Sequence, residues 1–110
     1  MNIDIEKLLK GMLEAASVGL KNHWPKARDY AENDFRKLLL EAQHIAQLKD
    51  DAKITEQEAT YLMDLQRNAS RAVLLTIEGL GILAVEAAIN AALAVVRDTI
   101  NSAIGGWKIL

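Results

Sequence analysis

The sequence has no cysteine, a single proline and only six glycines among its 110 residues. Without cysteine, the protein cannot use disulfide bonds, thiolate catalysis or cysteine-ligated zinc. With so little proline and glycine, the chain has few positions at which regular structure must end. Apolar residues recur at helical spacing, and no segment alternates polar and apolar residues as a half-buried strand does. The sequence therefore predicts an all-α protein.

The charges are nearly balanced, with 13 basic and 15 acidic side chains and a formal net charge of -2. Nucleic-acid-binding proteins usually present a clear basic face, so we expect no nucleic-acid partner. The first residues lack the basic and apolar regions of a secretory signal, which predicts a cytoplasmic protein. A chain of this length supports one hydrophobic core, so 1–110 is predicted to be a single helical domain.

Three helices are predicted, over about 3–21, 25–49 and 55–104. Pro25 suits the first turn of the second helix, because its missing N–H has no partner there in any case. Thr55 and Glu58 have the T-x-x-E spacing of a capping box, which predicts the start of the third helix. We therefore expect a bundle of three helices in which the C-terminal helix is long.

Gly79 and Gly81 leave an alternative open within the third helix. If the chain turns back there, the protein is an antiparallel four-helix bundle. A continuous helix, straight or kinked, is favoured because Leu80 and Ile82 would be poor residues at an exposed turn, and because polar residues before and after the glycines share one helical side. Such a helix would be about 75 Å long at 1.5 Å per residue, and two shorter helices could not cover it.

Residues 72–96 are almost entirely apolar and rich in alanine. With successive residues placed 100° apart, their apolar arc covers about 220°, whereas a stripe of about 100° is enough for a surface helix. A helix of this kind contacts neighbours on at least two sides. The sequence therefore predicts a homo-oligomer, with a dimer favoured, in which the last helix is the shared core.

Small residues recur every four positions on two of the predicted helices, and this spacing lets helix backbones approach closely. Docking of the two series is the preferred contact, and self-pairing of the last helix across a two-fold axis is the second choice. The alanines could also reflect helix propensity alone. The first series is Gly11, Ala15 and Gly19, and the second is Ala84, Ala88 and Ala92.

Asn90 interrupts the apolar segment and has two interpretations. A single amide in an apolar seam can fix the register and number of associating helices. Alternatively, Asn90 lies at the edge of the polar stripe near Glu86 and bonds to water. The same segment is long enough to span a bilayer. Its two glutamates and Asn90 approximately cancel the gain from its leucines, isoleucines and valines, so a membrane-active protein is an alternative and not the first prediction.

Glu41 and His44 form an E-x-x-H pair on the second helix. This spacing resembles that of the ferritin-like proteins, which bind two metal ions with such pairs and with a glutamate from a neighbouring helix. A hairpin centred near residues 23 and 24 would place Glu6 opposite Glu41. The resemblance implies iron, manganese or zinc held by Glu6, Glu41 and His44, with a second set supplied by a dimer. Otherwise, Glu41 and His44 flank the core and face solvent.

No pattern predicts catalytic residues, a phosphate-binding loop or a cofactor. The expected function is therefore association: a non-enzymatic scaffold, adaptor or assembly factor that works through helical surfaces. The charged outer faces of the first two helices would meet a second protein. The alternatives are a ferritin-like di-metal protein assembled as a dimer and a membrane-active helical protein.

Overall fold

The computed structural model describes residues 3–110, so residues 1 and 2 of the predicted domain lie outside the described residues. Four α-helices follow one another along this part of the chain: α1 (Ile5–Leu20), α2 (Trp24–Asp50), α3 (Glu56–Leu74) and α4 (Ile82–Ala103). A 3₁₀ turn, Lys21–His23, joins α1 to α2. The described residues contain no strand, and the predicted all-α helical bundle is confirmed.

The helices pack in the order in which they occur, as an antiparallel bundle. α1 contacts α2 and α4, α2 contacts α3, and α3 closes the ring by a smaller contact with α4. The bundle measures 44 × 23 × 17 Å. The 27 residues of α2 rise about 40 Å at 1.5 Å per residue, so this helix nearly spans the long axis.

Local capping explains where two of the helices begin. The side chain of Asp4 accepts a hydrogen bond from the Lys7 N–H at 3.1 Å, which satisfies a donor in the first turn of α1. At α3 the predicted capping box is confirmed. The Glu58 N–H donates to Thr55 Oγ1 and the Thr55 N–H donates to Glu58 Oε1, both at 3.1 Å.

The prediction of one continuous helix over 55–104 is wrong, and the alternative with a turn at Gly79–Gly81 is the form that the structure has. α3 ends at Leu74, and α4 begins only at Ile82. Thr76 Oγ1 donates to the Val73 carbonyl at 2.6 Å. Gly79 has φ +89°, a left-handed conformation that glycine adopts without the steric penalty of a Cβ.

The turn forms because its apolar residues point into the protein. Ile77 and Leu80 are both buried, so Leu80 lies in the core and not at an exposed turn. The expectation that Leu80 would be exposed in such a turn is therefore wrong, whereas Ile82, at the start of α4, is 58% exposed. Turning back also removes the need for an unusually long helix, because α3 and α4 now pack within the same bundle.

The core is continuous along the bundle and includes all four helices, the turn before α4 and Ile109 after it. One side of α4 is covered by the rest of its own chain, so the apolar segment does not need a partner for that side. The largest fully buried side chains are Phe35, Met12, Leu20, Leu38, Leu39, Ile45, Met63, Leu74, Ile89, Ile100, Ile104 and Val85.

Candidate functional site

The two predicted series of small residues lie on neighbouring helices of the same chain. A Cβ placed on Gly19 would lie 3.7 Å from the Cα of Ala88, and one placed on Gly11 would lie 3.0 Å from Cγ1 of Val95. The backbones of α1 and α4 therefore approach closely at Gly19. Ala88 is buried in this contact. Of the other alanines in the two series, Ala92 is also buried, whereas Ala15 and Ala84 are half-buried.

A second set of apolar residues remains on the outside of the same two helices. We call it the alanine face. Leu83 is 83% exposed, Val18 is 74% exposed and Val95 is 48% exposed. Ala87 and Ala94 are also exposed, whereas Ala91 is half-buried. The alanine face consists of Val18, Leu83, Ala87, Ala91, Ala94 and Val95.

The alanine face lacks charge because the polar residues of α4 in this region turn toward α3. Between Leu83 and Val95 the only polar residues are Glu86 and Asn90. Glu86 forms an ion pair with Arg71. Asn90 Oδ1 accepts a hydrogen bond from Arg67 Nη2 at 2.9 Å. Asn90 therefore lies at the boundary between α3 and α4, bonded to a side chain of its own protomer.

The three residues of the predicted metal site are not brought together. Glu6 forms an ion pair with Arg36, which also lies 3.6 Å from Glu32. The hydrogen bond to Glu6 is the largest influence raising the Arg36 pKa above its ordinary value. Glu41 Oε1 lies 3.5 Å from His44 Nδ1. Nowhere in residues 3–110 do three His, Asp or Glu side chains lie close enough to share a metal ion.

The register of the α1–α2 hairpin explains the position of Glu6. The turn occupies Lys21–His23, earlier than the predicted centre near residues 23 and 24. Each residue of shift in the turn moves the facing partner by two positions. A turn centred on Asn22 brings Glu6 opposite the segment around Leu38, where it pairs with Arg36, about 7.5 Å along the helix from Glu41 at 1.5 Å per residue.

An open groove of about 490 Å³ lies between the outer sides of α1 and α2. Leu9, Leu13 and Trp24 supply its apolar surface. Charged side chains of both signs surround them, so the groove has no dominant charge. These charged residues are Glu6, Lys10, Glu14, Arg28 and Glu32.

The C-terminal residues fold back onto the bundle, and Lys49 makes contacts with them that were not predicted from the sequence. Lys49 Nζ donates to the Ile104 carbonyl at 2.8 Å and lies 4.8 Å from the centre of the Trp107 ring. A cation at this position complements the exposed carbonyl groups at the end of α4. Gly105, with φ +67°, lies beside the same ammonium group. Lys49 thus connects the C-terminal ends of α2 and α4.

Asp34 is a buried carboxyl group on α2. Burial raises its pKa above 3.8 because the charged form loses hydration, and the nearby Lys37 partly offsets this effect. Asp34 lines neither the groove between α1 and α2 nor the space between α3 and α4. We therefore expect Asp34 to affect the stability of the fold.

The sequence contains a signal for the α3–α4 contacts that the prediction did not use. Arg67 with Asn90, and Arg71 with Glu86, are each placed symmetrically about the Glu78–Gly79 bond. When a chain turns back at a glycine, residues that lie equal numbers of positions before and after the turn are expected to face each other. A continuous helix would have kept each pair more than about 20 Å apart at 1.5 Å per residue.

Comparisons with protein-family models, curated proteins and solved structures find no match to this chain. Across the described residues, no helix combines the length and apolar character needed to cross a bilayer.

Proposed function

We propose that this chain is a non-enzymatic helical protein that pairs with a second copy of itself through the alanine face. Its activity would be association, as a scaffold, adaptor or assembly factor. The main support is the exposure of Leu83, which is 83%. The residues of the alanine face on α4, from Leu83 to Val95, carry no charge. Exposed apolar patches on a protein surface often mark interaction sites.

The second copy is favoured as partner by the chemistry of the face. A two-fold axis places the same patch on both sides, so an uncharged apolar patch meets another one. Ala87 and Ala91 lack long side chains and would allow two α4 helices to approach closely. The contact between Gly19 and Ala88 within the protomer is an example of such an approach.

The expected affinity follows from the exposed side chains. Complete burial of Leu83, Val18 and Val95 in both copies would contribute about 6–12 kcal/mol. Association opposes this with about 4–15 kcal/mol for lost translational and rotational freedom. The alanines add to the favourable side. We therefore expect a weak to moderate dimer, with dissociation constants in the micromolar to millimolar range.

The other predictions fit this proposal to different degrees. We propose the groove between α1 and α2 as the place where a second protein would bind. The ferritin-like alternative has less support, because Glu6 is paired with Arg36 and lies away from His44. A cytoplasmic location remains a prediction from the sequence, and the membrane-active alternative would be supported by partition of the chain into liposomes.

Sedimentation velocity or light scattering over a range of about 1–500 µM tests the proposal. We expect the average mass to rise with concentration toward that of a dimer. Leu83→Glu should weaken the dimer on the order of a hundredfold, because each copy then places a charge in the contact. Leu83 is highly exposed, so this variant is expected to fold.

Leu40→Glu is the matched control, since Leu40 is an exposed leucine on α2, away from the alanine face. It should self-associate as the unmodified chain does. The proposal is refuted if the chain is monomeric throughout the range, or if Leu40→Glu weakens association while Leu83→Glu does not.

A further inference from the structure

A cleft of about 250 Å³ opens between α3, α4 and the C-terminal residues. α3 and α4 are the neighbouring helices with the least contact, which leaves space between them. Residues 108–110 close one side of this space. Its apolar wall includes Met63, Leu93 and Ile109, all of which are buried.

The C-terminal residues are fixed in the cleft by hydrogen bonds. Asn101 Oδ1 accepts from the N–H groups of Ile109, at 3.1 Å, and Leu110, at 3.2 Å. Thr60 Oγ1 lies 3.0 Å from the Glu56 carbonyl and 3.4 Å from the Lys108 carbonyl, so its single proton is shared between these two acceptors. These bonds, together with the burial of Ile109, hold Lys108 at the edge of the cleft.

The side chains around the cleft carry three positive charges and one negative charge. The positive residues are Arg67, Arg97 and Lys108, and the negative one is Asp64. Within residues 3–110, none of the three cations forms an ion pair. This part of the surface therefore has an excess of positive charge, although the whole chain carries a formal net charge of -2.

Arg67 also leaves a hydrogen-bond donor without a partner. Its Nη2 donates to Asn90 Oδ1 at 2.9 Å, but its Nε–H is buried and finds no acceptor among the described residues. A buried donor without an acceptor is unfavourable. The amide nitrogen of Asn90, which also lines the cleft, can donate beside it. Asp64, the one acidic side chain that lines the cleft, does not accept from the Arg67 Nε–H, so this donor still lacks an acceptor.

We propose that this cleft binds a small oxyanion, either phosphate or a carboxylate, between Arg67, Arg97 and Lys108. The planar guanidinium groups suit the paired oxygens of such anions. The volume of about 250 Å³ lies below that of most sites for drug-sized ligands, which favours a compact anion. The apolar wall would contact any short hydrocarbon part of the ligand.

Calorimetric or NMR titration of the full chain with inorganic phosphate, and separately with citrate, tests the site at constant ionic strength set by chloride. We expect saturable binding of at least one of the two anions, and the stronger of them identifies the preferred chemistry. Arg97→Gln should weaken binding about tenfold, as expected for the loss of one charged hydrogen-bond donor. Arg97 is exposed, so its replacement leaves the core intact.

Arg28→Gln is the matched control, because Arg28 is also exposed but lies in the α1–α2 groove. It should bind the anion as the unmodified chain does. Asp64→Asn removes the one acidic side chain of the cleft and should strengthen binding several-fold. Arg67→Lys keeps the charge but removes the Nε–H, and should weaken binding.

The proposal is overturned if neither anion binds saturably, or if Arg28→Gln weakens binding as much as Arg97→Gln. The second result would mean that the anion responds to overall charge and not to the cleft. If Arg67→Lys binds as tightly as the unmodified chain, the role assigned to the buried donor is wrong. Thermal unfolding of each variant identifies any loss of fold.

Discussion

Replacement of Gly79 by alanine is expected to lower the free energy of unfolding by about 1–3 kcal/mol. Gly79 has φ +89°, and a residue with a Cβ is strained in this left-handed region by about 1–2 kcal/mol. The added Cβ would also lie 2.9 Å from Cε1 of His23, so the imidazole would have to move. Both effects oppose the turn between α3 and α4.

The sign of this effect distinguishes the turn from a continuous helix. In a helix interior, alanine is more favourable than glycine by about 0.5–1 kcal/mol, so Gly79→Ala would stabilise a protein with one helix over 55–104. In the four-helix bundle the same substitution destabilises. Urea unfolding followed by circular dichroism measures the difference, because the midpoint shifts while the slope stays constant.

Gly81→Ala is the matched control in the same turn. Gly81 has φ -87° and no atom lies within 4 Å of the position of an added Cβ. Alanine is a poorer N-cap than glycine, but it also reduces the entropy of the unfolded chain. These effects oppose each other, so we expect a change within about 0.5 kcal/mol. If Gly79→Ala instead increased stability, a left-handed turn at Gly79 would be refuted.

Two further predictions concern single buried or half-buried charges. Lys49→Met should lower the free energy of unfolding by about 1–3 kcal/mol, because the Ile104 carbonyl loses its charged donor. Urea unfolding followed by circular dichroism measures the loss, and no change would contradict the contact. Asp34→Asn should raise the free energy of unfolding by about 0.5 kcal/mol or more at pH 7, because a buried charge is removed. Because burial raises the Asp34 pKa in the folded state, protonation of its carboxyl group stabilises the fold. This stabilisation is complete below the unfolded-state pKa of 3.8 and is lost as the pH rises through the folded-state pKa. In Asp34→Asn that part of the pH dependence should disappear, and its persistence would contradict the assignment.

The distribution of small residues shows how far sequence reasoning can reach in this protein. The four-residue spacing of Gly11, Ala15 and Gly19 indicated a helix side that could be approached closely, and Gly19 lies against Ala88. The spacing could not decide whether the neighbouring helix came from the same chain or another copy. That choice depends on whether α4 folds back within reach of α1, and hence on the turn at Gly79.

The predicted metal site depended on register in the same way. The spacing of Glu41 and His44 is local and survives in the structure, where their side chains are 3.5 Å apart. The position of Glu6 depends on the hairpin turn, and a small shift of the turn was enough to pair Glu6 with Arg36. Spacing within one helix is therefore informative, whereas contacts between helices need the turn geometry.

The cleft around Arg67 and Lys108 could not have been found from spacing. Its residues come from α3, from α4 and from the C-terminal residues, and no local pattern connects them. They meet only because Ile109 is buried and Asn101 holds the backbone after it. Such sites arise from packing between distant segments.

The amino-acid sequence alone determined the all-α class, the approximate extent of α1 and α2, and the start of α3, because these follow from local periodicity and from capping groups a few residues apart. Only the tertiary structure decided that the chain turns back after Leu74, because the burial of Ile77 and Leu80 outweighs the tendency of the apolar segment to continue as helix. That turn sets which side of α4 its own chain covers and which apolar side remains exposed.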